Sequence, residues 1–175
     1  AGLILLLHSL SNQLLLRESA RLEQEMIRCD LSRAFNAVLA EFTDLKRVAG
    51  SLAKSDATCR FIETPSQGYL DENVTAGKFR DSGLDLLVIL KPDGGRVMAR
   101  AIDVEGTSLL PGGFDNIKAD SPLLCREPEP GKENGFMVMN GRPMMLVSLP
   151  VLSSTGEAPV RGTMIAGRYL GSEAL

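Results

Sequence analysis

Tryptophan is absent from these 175 residues, aromatics make up 5% of them, and His8 is the single histidine. So few rings leave little to stack nucleobases on. A net charge of −3 with no basic cluster leaves nothing to track phosphates, so no nucleic acid partner is expected. One histidine cannot complete a usual zinc set. The three cysteines, Cys29, Cys59 and Cys125, show no CxxC spacing, so no metal or cofactor is assigned. They read as small buried hydrophobes, with a Cys59–Cys125 bridge left open. There is no GxSxG, no P-loop and no GxGxxG. Gly94-Gly95 and Gly112-Gly113 read as turn glycines, because a phosphate cradle needs Lys or Ser/Thr just after them. His8 lies far in sequence from any candidate nucleophile. No catalytic residue is assigned, and the chain is not read as an enzyme.

Long apolar runs are missing too. Leu3–Leu7 is about a quarter of the roughly 20 residues that cross a bilayer. It has neither a basic flank nor a small-residue cleavage site, so it is not a signal peptide. It reads either as the outer end of a membrane helix or as the first core turn of a soluble one.

Residues 3–54 contain no proline, and Gly50 is their only glycine. Apolar residues recur at steps of three and four through Leu14, Ile27, Leu31, Val38, Phe42, Leu45 and Leu52, which is helical amphipathicity. At 1.5 Å per residue, about 50 residues span roughly 75 Å. A helix that long needs a partner helix or a membrane. A parallel homodimer through Leu14, Ile27, Leu31 and Val38 is expected. The alternative is two helices broken near Ser11-Asn12 or Arg28–Ser32.

After residue 54 the pattern changes. Residues 64–83 are punctuated by Pro65, Gly68, Gly77 and Gly83, with a short helix expected around Asp71–Ala76. Leu84–Leu90 reads as a buried strand, Lys91–Gly95 as a turn and Arg96–Asp103 as the returning strand. A crossover rich in Gly and Pro follows, with helical turns expected near Thr107–Leu110 and Asn116–Leu124. Gly135–Asn140, Arg142–Leu152 and Val160–Leu170 read as a three-strand meander. The periodicities give an α+β fold: a long N-terminal helix over residues 1–54, then an α/β domain over 55–175 with five antiparallel strands.

Ser51-Leu-Ala-Lys-Ser-Asp56, with Cys59 and Tyr69 beyond it, is the most telling stretch. It resembles the type-four family of the CHASE group, the cyclase- and histidine-kinase-associated sensory extracellular domains. That family carries Asp-Trp-Ala-any-Trp-Asp and then a Tyr at this point. Ala53 and Asp56 fit; Ser51, Leu52, Ser55 and Cys59 replace the first Asp, both Trp and the Tyr. The resemblance extends over about residues 20–172, through Leu84–Arg96, Gly135-Phe136, Asn140–Pro143, Ser148–Ser154 and Gly162–Leu170. It implies a PAS- or Cache-like fold and a place outside the cytoplasm in a membrane receptor, with a flanking membrane helix on each side. It also implies a histidine kinase, a diguanylate cyclase or phosphodiesterase, or a chemoreceptor coil as output.

The family's motif sits in the helix-end loop, which makes that loop the expected wall of a ligand site. Leu52, Ser55, Asp56, Cys59 and Tyr69 are expected on one side, with Arg100, Ser148 or Arg168 on the other. An arginine on an apolar strand face either pairs with a carboxylate such as Asp56 or waits for a ligand carboxylate. Asp56 either caps the turn at Thr58 or Cys59 or accepts from an amine or from Tyr69. A small carboxylate or amino acid is the expected ligand. The rival reading is a ligand-free dimerisation or spacer module.

Overall fold

The computed structural model describes the backbone of residues 2–102, 108–109, 114, 117–118, 121–127, 134–139, 141–156 and 159–171, and side chains within these from residue 26 onward except at 108–109. The chain divides into two compact units, residues 1–41 and residues 42–175.

Helix α1 runs unbroken over Gly2–Ala53, so the single-helix reading holds and Leu14 lies among side chains outside the described set. In the first unit the described side chains leave Ile27, Leu31, Phe35 and Leu39 exposed, at 65%, 67%, 61% and 47%. These recur every four residues, so they form one apolar stripe. Cys29 is exposed on the same helix. The expectation of a buried Cys29 fails, because among the described residues of its unit none packs over this part of the helix.

In the second unit α1 changes character. Phe42, Leu45, Ala49 and Ala53 are buried at steps of three and four, and this stripe becomes part of a core. Three short helices follow. Ser55 caps α2 (Asp56–Glu63) by accepting from the Ala57 N–H. α3 spans Gln67–Asn73. Thr75 caps α4 (Ala76–Ser82) by accepting from the Lys78 N–H, and Gly83 ends it at φ 62°, a left-handed conformation that favours glycine. The short helix expected over Asp71–Ala76 is therefore two helices, broken at Val74-Thr75.

All five expected strands form, and they make one antiparallel sheet. β1 is Leu86–Leu90, β2 Arg96–Ile102, β4 Asn134–Met139, β5 Arg142–Val151 and β6 Gly162–Tyr169. A two-residue strand β3, Ser108–Leu109, joins β2 at the edge, giving the order β3-β2-β1-β6-β5-β4. Helical turns were expected near both 107–110 and 116–124. At the first, backbone pairing with Ala101 and Ile102 takes over instead. At the second, the described residues show only turns, closed by Ser121 N–H to Lys118 O and Leu124 N–H to Ser121 O.

β1 lies between β2 and β6 and is buried along its whole length. Both of its faces are covered, which is why Leu-Leu-Val-Ile-Leu shows no alternation. The register sorts the side chains. Leu86, Val88 and Leu90 share a face with Ile165, Leu146 and Ala101, and Phe114 and Leu124 from the crossover pack over them. Leu87, Ile89, Met164, Ala166, Val147 and Arg100 share the other face, the helix side.

Candidate functional site

The helix-side face carries a cleft of about 260 Å³. The last turns of α1 supply one wall through Val48, Ser51 and Leu52. Asn73 and the α4 residues Lys78, Phe79, Asp81 and Ser82 supply the opposite wall, and Leu84 and Leu87 form the floor. Phe79 and Leu87 are fully buried, so the bottom is apolar and rigid. A second groove of about 460 Å³ lies between α2 and α3, lined by Arg60, Phe61, Glu63, Ser66, Tyr69 and Glu72 among others. Its Glu63 already pairs with Arg161 at 3.2 Å, and it has fewer apolar walls. The first cleft is the better candidate, because small-ligand sites combine an apolar body with a few placed polar groups.

Hydroxyls in the first cleft have a definite polarity. Ser51 Oγ donates to Val48 O at 2.7 Å, and Ser82 Oγ donates to Lys78 O at 2.6 Å. With its one hydrogen on a carbonyl, each hydroxyl presents lone pairs that can accept from an occupant of the cleft. Lys78 and Asp81 sit three residues apart on α4, close enough to pair. Among the described residues neither makes an ion pair.

Of the eight residues expected at a site, only Leu52 lines this cleft, and only Tyr69 lines the second groove. Ser55 is the α2 cap. The Asp56 carboxylate accepts from the Ser154 N–H at 2.9 Å and from its hydroxyl at 2.8 Å, which holds its pKa below the usual 3.8. It ties the start of α2 to the turn after β5 rather than capping α2. Cys59 is half-buried, and burial pushes its thiol pKa up. Cys125 lies against Ser148 Oγ at 3.4 Å and is not bridged to Cys59. Tyr69 stacks on Phe61 with centroids 4.3 Å apart, and its hydroxyl is 2.8 Å from Thr58 Oγ1.

The two arginines are anchored by backbone carbonyls. Arg100 donates through Nη1 to Val74 O, in the link between α3 and α4, while its buried Nε has no partner among the described residues. Arg168 is 8% exposed. Its Nε donates to Gly83 O at 2.6 Å and its Nη2 to Ser82 O at 3.2 Å and Asp44 Oδ2 at 3.1 Å. The carboxylate paired with Arg168 is thus Asp44 of α1. Arg47 and Arg168 together hold the Asp44 pKa below 3.8. Ser148 lies on the opposite face of the sheet, donating to Leu123 O at 2.6 Å. The structure therefore does not gather the eight into one pocket. It places Arg168 one residue from the cleft wall, bonded to both Ser82 and α1.

Residues 37–175 match the model of the CHASE4 domain. The chain belongs to the CHASE4 family, whose members are extracytoplasmic sensory domains of membrane-bound receptors. Two of the solved structures it is similar to are extracytoplasmic or sensory-protein domains, and the first shares its fold. One is the domain of a sensory box/GGDEF family protein from Vibrio parahaemolyticus, at 14% identity and a TM-score of 0.50, covering 79% of this chain and 56% of that one. The other is the extracellular domain of a histidine kinase, at 13% identity and a TM-score of 0.45, covering 79% and 53%. The chain thus spans little more than half of each. No curated protein matches it by sequence. Among the described residues, no helix is long and apolar enough to cross a membrane.

Proposed function

We propose that this chain is the input module of a membrane receptor in which a small molecule occupies the cleft between α1 and α4 and shifts α1. The output would be a histidine kinase, a cyclic-di-GMP enzyme or a chemoreceptor coil, linked through flanking membrane helices. Residues 1–54 act as the signalling helix and residues 55–175 as the sensing part. One observation carries the reading: Val48, Ser51 and Leu52 of α1 are themselves a wall of the cleft. An occupant touches the transmitting helix directly, so its binding energy can bias one helix position over another. Arg168 adds a second link, since it holds the Ser82 end of α4 and Asp44 of α1 at once.

The exposed stripe Ile27, Leu31, Phe35 and Leu39 favours a parallel homodimer through α1. It also keeps the ligand-free dimerisation module as the second reading. Two measurements separate them. Sedimentation at micromolar concentration should show a dimer that Leu31→Glu dissociates, and both readings share this result. Thermal-shift screening with small amines, carboxylates and amino acids should give stabilisation that Leu52→Trp, which fills the cleft, removes. No stabilisation by any compound favours the spacer.

A further inference from the structure

We propose that the α1–α4 cleft selects a small aliphatic zwitterion of amino-acid size, with the ammonium group as the main determinant. This rests on the reading of the cleft as a ligand site and adds the ligand's chemistry.

Size comes first. A volume of about 260 Å³ holds the equivalent of about nine waters at roughly 30 Å³ each. That suits a molecule of about that many heavy atoms. Val48, Leu52, Phe79, Leu84 and Leu87 would surround its body, and four of these five are aliphatic, so a branched alkyl chain fits.

The polar rim decides the charge. Ser51 and Ser82 each rest their one hydrogen on a helix carbonyl, and with those bonds kept they accept from a ligand. The Asp81 carboxylate oxygens accept as well. These acceptors, Ser51 on the α1 wall and Asp81 and Ser82 on the facing α4 wall, suit the N–H donors of a primary ammonium held between them. An anion would find only Lys78 to pair with and the Asp81 carboxylate against it. Lys78 is the one cation in the lining. With Asp81 it presents opposite charges on one helix face, unpaired with each other, in the arrangement of a zwitterion's own two charges. Both side chains are exposed, so solvent screens each contact and their contribution is moderate.

Calorimetric titration at neutral pH with four probes tests this. The probes are L-leucine, isoamylamine (no carboxylate), isocaproate (no ammonium) and isoamyl alcohol (neither charge). L-leucine should bind tightest, isoamylamine about threefold weaker, and isocaproate about tenfold weaker or worse. Asp81→Asn should weaken L-leucine and isoamylamine and spare isocaproate. Lys78→Gln should weaken L-leucine and isocaproate and spare isoamylamine. A merely structural role would not split the probes in this way. Equal binding of isocaproate or isoamyl alcohol and L-leucine, abolished by Leu52→Trp, overturns the zwitterion and leaves the cleft as the site. Binding of L-leucine that Leu52→Trp leaves intact moves the site elsewhere and overturns the inference. Binding of none of the four overturns the inference, and the proposed ligand function then stands or falls on the wider thermal-shift screen.

Discussion

Replacing Arg168 with methionine tests the account of how α4 is fixed to α1. Methionine keeps much of the side-chain stem and removes the guanidinium. Two bonds from a charged donor to backbone carbonyls are lost, at Gly83 O (2.6 Å) and Ser82 O (3.2 Å). Such bonds contribute about 1.5–3 kcal/mol each when the donor is charged, and the longer one belongs at or below the low end. The ion pair with Asp44 contributes less, because the Asp44 side chain is 41% exposed; solvent screening holds it under about 1 kcal/mol. The total is about 3–4 kcal/mol, or a fall in Tm of about 10 °C for a unit of this size. Asp44→Asn should cost only about 3 °C by the same reasoning. The Asp44 pKa is lowered in the fold. Its contribution is therefore present above the unfolded value near 3.8 and is lost as pH falls through the lower folded value. Thermal melts followed by circular dichroism read all of this. An Arg168→Met variant melting within a degree or two of the parent would refute the anchoring role. Equal losses from the two variants would show that the ion pair, and not the carbonyls, is the main tie.

Leu87→Asp should abolish folding, since Leu87 is fully buried and an unpaired carboxylate there costs several kcal/mol against a total of about 5–15; a cooperative melt at the parent temperature would contradict the sheet placement. Asp56→Ala should lower the Tm at neutral pH by freeing the Ser154 turn from α2. Because the folded Asp56 pKa is depressed, this difference should close as pH falls through that value, which a series of melts down the pH scale will show. Asp85 behaves oppositely: burial raises its pKa against the pull of the Tyr169 N–H bond, so its favourable contribution is lost as pH rises through the folded value. Asp85→Asn should therefore raise the Tm at neutral pH, with the gain vanishing below the unfolded value near 3.8.

Elements with strong local signals were legible in the sequence. The proline-free apolar periodicity gave α1, and the Pro-Asp-Gly-Gly turn gave the β1–β2 hairpin. Asp93 Oδ1 accepts from the Gly95 N–H at 2.8 Å there, and Gly94 takes φ 91°. Alternation put Arg100 and Arg168 each on an apolar face of its own strand, and the register brings both faces to the helix side of the sheet. Alternation could not reveal that β5 meets β6 with Ser148 opposite Ile165, which turns Ser148 to the other face. Register between strands is a tertiary fact. Asp44 as the partner of Arg168 was equally hidden, because 124 residues separate them. The cleft wall on α4 was missed for a different reason. Residues 76–82 carry one strong apolar residue, Phe79, so no periodicity marks a helix. The Thr75 cap and the Gly83 terminus bracketed it and were the available signal. The family motif pointed to the helix-end loop. In the structure that loop is tied locally, by the Ser55 cap, the Asp56–Ser154 bonds and the Phe61–Tyr69 stack.

Hydrogen–deuterium exchange on the chain, with and without L-leucine or isoamylamine, tests the central claim that cleft occupancy reaches α1. The amides of residues 42–53 and of α4 should exchange more slowly with the probe bound, because both helices wall the cleft. The effect should disappear in Leu52→Trp, and amides of β4, remote from the cleft, should be unchanged. Calorimetric binding of a probe with no change in the exchange of residues 42–53 would contradict the claim.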